Sequence, residues 1–112
     1  MKDINIYLKN IIDKAQEAVQ FCQSMTKESF SLDGKTQSAV IMKLIVIGEE
    51  ARKLSDETKG KIDLPWRMII GFRNFAVHEY FNVNLERIWD TLQNDLPSLI
   101  TKITDYLENK NI

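Results

Sequence analysis

Arg73 and His78 stand five residues apart in the stretch Arg73-Asn74-Phe75-Ala76-Val77-His78-Glu79-Tyr80, and His78 is the only histidine in the chain. The residue types complement one another: a guanidinium with a permanent charge, an imidazole that titrates near neutral pH and a phenol that presents a hydroxyl. Arg73 could pair with phosphodiester oxygens through two parallel hydrogen bonds and stabilise the added negative charge of a pentacoordinate phosphorane. His78 could take a proton from a ribose 2′-hydroxyl or give one to a departing 5′-oxygen, help that is typically worth about 10²–10⁴ in rate. Asn74 could orient the phosphate or cap a local turn. Tyr80 could donate to phosphate or accept a transferred group.

Packing roles compete with these. A lone histidine beside a tyrosine in a helical bundle is commonly structural, and Arg73 has Glu49, Glu50 and Glu79 as candidate ion-pair partners. Trp66 and Trp89 read as core anchors rather than base-stacking platforms, and Phe81 fits core, interface or base contact equally. With one His and one Cys, a metal centre would rest on carboxylates such as Glu49, Glu50, Asp56 and Glu57, whose pattern is that of a solvated helix end. No metal and no cofactor is expected.

Geometry constrains the motif. Five residues along one α-helix rotate a side chain by about 140° and advance it about 7.5 Å. Arg73 and His78 therefore do not share a face of a continuous helix. Either the helix breaks or bends between them, with Phe75-Ala76-Val77 packed beneath the break, or the site combines residues from two chains.

The elements that must position the motif read as helices. Ile4, Leu8, Ile11, Ile12, Ala15, Ala18, Val19 and Cys22 recur at helical spacing, which predicts an amphipathic helix from about Asp3 to Ser24. Residues 25–34 read as a connection with a turn at Asp33-Gly34. Thr36 is the expected N-cap of a second helix extending to about Leu54. Its apolar run from Ala39 to Ile47 surrounds the helix nearly completely, so more than one side must be covered, and a second subunit could cover one of them. Ser55 to Asp63 reads as a polar loop around Gly60. Pro65 opens a third helix, Asn84 caps a fourth, and Pro97 marks a break or a new start. The expected fold is all-α: an up-and-down bundle of four or five helices, mostly antiparallel because the loops are short.

Bulk properties agree. At 112 residues, with only four Gly and two Pro, the chain fits one domain over 1–112 and not an all-β sandwich. The single cysteine, Cys22, allows no intrachain disulfide, falls on the apolar stripe of the first helix and fits a reducing cytoplasm. The N-terminus lacks an apolar signal core, and the apolar run interrupted by Lys43 is too short to span a bilayer. The net charge of −1 offers no general case for nucleic-acid binding. Residues 52–73 are nonetheless +3 and the remainder −4, so a local patch beside the motif could attract phosphate. Lys59 and Lys61 fit a plain solvated loop equally well.

The octapeptide from Arg73 to Tyr80 resembles the Arg-x4-His-x-Tyr signature of HepT-like toxins in the HEPN superfamily. The likeness covers essentially the whole chain. It includes the long first helix, Gly48-Glu49-Glu50-Ala51, Pro65-Trp66, Gly71-Phe72-Arg73-Asn74, and Trp89 followed by Asp95-Leu96-Pro97. The resemblance implies a HEPN-like homodimer whose two motifs line a shared cleft. It implies a metal-independent endoribonuclease toxin with Arg73 and His78 as the catalytic pair, Asn74 in support and RNA as substrate. It also implies an MntA-type nucleotidyltransferase antitoxin that transfers AMP from ATP to Tyr80. The alternative is a helical nucleotide-binding or docking module that works with a nucleotidyltransferase without itself cutting RNA.

Overall fold

The computed structural model describes residues 4–78 and 84–110, with the backbone alone at 4, at 75–78 and at 110. Among these residues all regular structure is helical. Helix α1 (Ile4–Phe21) forms where periodicity predicts it. Leu8, Ile11, Ala15 and Ala18 along its stripe are fully buried, and Cys22 just beyond is 3% exposed. Burial pushes the Cys22 thiol pKa up. The predicted end at Ser24 lies three residues beyond the last helical one, because the chain tightens into a turn in which Cys22 N–H donates to the Val19 carbonyl.

The connection predicted over 25–34 contains a helix. Helix α2 (Lys27–Ser31) is opened by a reciprocal cap: Thr26 Oγ1 accepts from Ser29 N–H, and Ser29 Oγ accepts from Thr26 N–H. Phe30 on this turn is 1% exposed and meets the Trp89 ring at 5.4 Å between centroids.

Helix α3 (Gly34–Arg52) is capped by Asp33 and not by Thr36. The Asp33 carboxylate accepts from both the backbone N–H and the hydroxyl of Thr36. These bonds favour the charged form and hold the carboxyl below its ordinary range. Thr36 is therefore the third residue of the helix, and Asp33 is a cap rather than part of a free turn.

The segment Ser55–Asp63, expected as loop, contains helix α4 (Asp56–Gly60), with Ser55 as N-cap accepting from Thr58 N–H. Helix α5 (Trp66–His78) starts directly after Pro65 as expected. Trp66 fixes the entry, its indole N–H donating to the carbonyls of Lys59 and Ile62.

Asn84 caps helix α6 (Leu85–Asp90), accepting from Arg87 N–H. No break occurs at Pro97. A π-helical turn, Thr91–Asp95, joins α6 to helix α7 (Leu96–Lys110), and residues 90, 91 and 96 keep helical dihedrals throughout. Leu96 N–H donates to the carbonyl of Thr91, five residues back. Proline has no N–H, and its ring crowds the carbonyl four residues earlier. The widened turn takes up that crowding without ending the helix.

Helix α3 occupies the centre, with α1 and α5 packed against it, α7 lying on α1, and α2 bridging α3 to α6. Val40, Leu44, Ile47 and Ala51 of α3 meet Ile69 and Phe72 of α5 and the Leu8–Ile11 stripe of α1 in one continuous core. The α1–α3 contact is reinforced by Glu17, whose carboxylate lies 2.6 Å from Lys43 Nζ and 3.2 Å from Lys14 Nζ. Those two cations, Lys43 foremost, lower its pKa. Two covered sides answer the demand of the apolar run in α3 only in part: Met42 on the same helix is 57% exposed. Among the described residues no helix is long and apolar enough to cross a membrane.

Candidate active site

Glycine inside a helix costs about 1 kcal/mol against alanine, so Gly48 near the end of α3 asks for a packing reason. The reason is α5. A Cβ at Gly48 would lie 3.0 Å from the backbone nitrogen of Arg73 and 3.0 Å from the carbonyl oxygen of Ile70. The two helices thus meet backbone to backbone at the residue that opens the motif.

This contact places the next residue of α3 beside the cation. Glu49 Oε1 lies 2.6 Å from Arg73 Nε, and Glu49 Oε2 lies 3.1 Å from Arg52 Nη2. Among the described residues, Glu49 is the candidate carboxylate that pairs with Arg73. Glu50 turns toward α1, where it accepts from Asn10 at 3.4 Å and pairs with Lys53 at 3.3 Å. Glu79 lies outside the described residues. Arg73 Nη1 also donates to Asn74 Oδ1 at 3.3 Å, so Asn74 stands beside the guanidinium. The Arg73 side chain is 48% exposed, which leaves it open to a ligand despite the ion pair.

Helix α5 runs without interruption from Trp66 to His78. No break separates Arg73 from His78. Their backbone positions differ by about 140° around the helix and about 7.5 Å along it. A continuous helix thus keeps these two backbone positions on different faces within one protomer. Tyr80 and Phe81 lie outside the described residues.

The basic segment is less exposed in its charge than its sum suggests. Lys59 pairs with Asp56 and Lys61 with Glu57 along α4, and Arg52 and Lys53 pair with Glu49 and Glu50. The plain reading of Lys59 and Lys61 is the one the fold supports. Arg67 lines a cleft of about 300 Å³ between α5 and α6 that also holds Arg87, Asp90 and Asp95, so acids and bases mix there. Trp66 and Trp89 are partly buried against the core, as core anchors should be.

The role of Gly48 was missed in the sequence. A glycine within an otherwise helical pattern was the available signal, since it marks close backbone approach when it does not mark a helix end.

An all-α bundle with an exposed arginine on a central helix pair, and a histidine farther along the same helix, defines a class of small helical proteins suited to binding phosphate. A family model described as Ribonuclease HepT-like matches residues 11–105. The chain belongs to this HepT-like family of the HEPN superfamily. It is 34% identical over 109 residues to "Putative RNase MJ0127" of Methanocaldococcus jannaschii, covering 96% of this chain and 90% of that one. It is 34% identical over 94 residues to "Probable ribonuclease HepT" of Thermococcus cleftensis, covering 83% of this chain and 86% of that one. A third relative, "Putative RNase TTE0752" of Caldanaerobacter subterraneus subsp. tengcongensis, is 30% identical over 111 residues, covering 98% and 99%. No solved structure matches the chain.

Proposed function

We propose that the protein is an endoribonuclease toxin that acts as a homodimer over the single domain 1–112, with RNA as substrate and without a metal ion. The observation that carries this reading is the uninterrupted helix α5, which holds Arg73 and His78 on different faces within one protomer. A two-fold axis beside α5 brings the Arg73 of one chain toward the His78 of the other. Met42 on α3, an apolar side chain that is 57% exposed, is available to a second protomer.

In the proposed reaction His78 removes the proton from a ribose 2′-hydroxyl. The 2′-oxygen attacks the adjacent phosphorus, and the bond to the 5′-oxygen breaks as that oxygen gains a proton. Arg73 neutralises the charge that grows on the non-bridging oxygens, and Asn74 supports it. The products are a 2′,3′-cyclic phosphate and a free 5′-hydroxyl. The purified protein is therefore expected to cleave single-stranded RNA equally in EDTA and in Mg²⁺, leaving cyclic phosphate ends. Cleavage that stops with chelation and returns with Mg²⁺ overturns the mechanism.

The partner in this reading is an MntA-type nucleotidyltransferase antitoxin. Tyr80 attacks the α-phosphorus of ATP, pyrophosphate leaves, and the phenol becomes an AMP ester. That ester puts a phosphate and a base two residues from His78, where they compete with RNA for Arg73. Adenylylated protein is expected to lose cleavage while keeping its melting temperature. Tyr80→Phe is expected to cut RNA normally and to accept no AMP. A modified protein that cuts at the unmodified rate ends this account of neutralisation.

A further inference from the structure

Glu49 stands outside the eight-residue motif, yet its carboxylate touches the Nε edge of the Arg73 guanidinium. A guanidinium grips phosphate most firmly through two parallel N–H groups on one edge. With Glu49 on the Nε edge and Asn74 Oδ1 accepting one N–H of Nη1, the remaining N–H groups of Nη1 and Nη2 are left to be turned toward a substrate. We infer that Glu49 is a positioning residue for Arg73: it holds the Nε edge so that the terminal edge faces the scissile phosphodiester. The inference rests on the ribonuclease reading and adds a residue to it.

Two features separate this pair from an ordinary surface contact. Exposed ion pairs between long side chains contribute little, because both chains must be ordered to make them. Here the stems are brought together by the backbone contact at Gly48, whose Cβ position lies 3.3 Å from Arg73 Cβ. The neighbouring carboxylate, Glu50, is committed to α1 through Asn10, so the α5 side of this turn belongs to Glu49.

A rival role makes the opposite prediction. If Glu49 only neutralised Arg73 and competed with RNA, removing its charge would strengthen RNA binding and speed cleavage. If it positions Arg73, removing the charge slows the chemical step, since misplacing a catalytic group by about 1 Å costs about 10²-fold. The test compares wild type, Glu49→Gln and Glu49→Asp as full chains on a single-stranded RNA oligonucleotide. Glu49→Gln is expected to lower kcat about 10²-fold with KM unchanged or lower, and Glu49→Asp to recover part of kcat. In parallel, ¹⁵N NMR of the arginine Nε–H groups is expected to show Arg73 ordered and slow to exchange in wild type and mobile in Glu49→Gln. Cleavage by Glu49→Gln at or above the wild-type rate overturns the inference, as does an Arg73 Nε–H equally ordered in both proteins. Should the wild type leave RNA intact, the functional reading fails. The NMR comparison then decides by itself whether Glu49 holds Arg73.

Discussion

Arg73→Ala and His78→Ala are each expected to reduce RNA cleavage by about 10²–10⁴-fold and to relieve growth inhibition on expression, with helical content and the size of the proposed dimer unchanged. The fold is expected to survive the arginine substitution because the Arg73 side chain is 48% exposed and supports no core contact. Combining the two substitutions costs little more than either alone, since residues acting in one step are not additive. Mixing the two single variants is more telling. In a mixed dimer one cleft loses both groups, and the other keeps the Arg73 of one chain and the His78 of the other. Equal mixing with free exchange makes half the dimers mixed, each with one of two clefts intact, so about a quarter of wild-type activity returns. If no activity returns while mass spectrometry shows mixed dimers, the site lies within one chain and the two-chain geometry is wrong.

The second large effect is expected at Gly48. The atoms that a Cβ would meet at 3.0 Å belong to the backbone of α5 and cannot rotate away. Alanine gains about 1 kcal/mol of helix propensity and forces the helices apart by a few tenths of an ångström, an overpacking cost of about 1–3 kcal/mol. Gly48→Ala should therefore be near neutral to destabilising by about 2 kcal/mol. Gly48→Val needs a wider separation and has a stiff side chain, and should cost about 3 kcal/mol or more. At about 4–8 °C per kcal/mol for a domain of this size, that lowers Tm by well over 10 °C. Thermal unfolding followed by circular dichroism measures it. A valine variant that melts with the wild type would mean that α3 and α5 do not meet as described.

The long helices were legible because each buries a stripe, and a stripe repeats. Leu8, Ile11, Ala15 and Ala18 announce α1 through spacing alone. Helices α2 and α4 were not legible, because five residues are too few to show a period. Both were nonetheless marked by their caps, Thr26 with Ser29 and Ser55 with Thr58, which read as loop residues when taken one at a time. Thr36 was taken for the cap because it precedes the apolar run, whereas Asp33 accepts from Thr36 N–H and starts the helix three residues earlier. Pro97 looked like a break or a new start because local chemistry forbids an α-helical hydrogen bond there. Nothing in composition indicates that five preceding residues widen to keep the helix intact. At the site, residue types pointed to phosphate chemistry and helical arithmetic predicted that Arg73 and His78 would diverge. What spacing could not supply was the partner of Arg73: Glu49 and Glu50 are neighbours in the chain, and only the helix crossing at Gly48 distinguishes them.

The single thiol of the chain, Cys22, is 3% exposed, and burial holds its pKa above the ordinary thiol range. A cysteine introduced on the outer face of α7 would thus be the one group available to a maleimide or nitroxide reagent, with no need to remove Cys22 first. Two such probes, one from each subunit of the proposed dimer, would report the separation of the protomers by fluorescence transfer or dipolar spectroscopy, before and after treatment with the proposed nucleotidyltransferase.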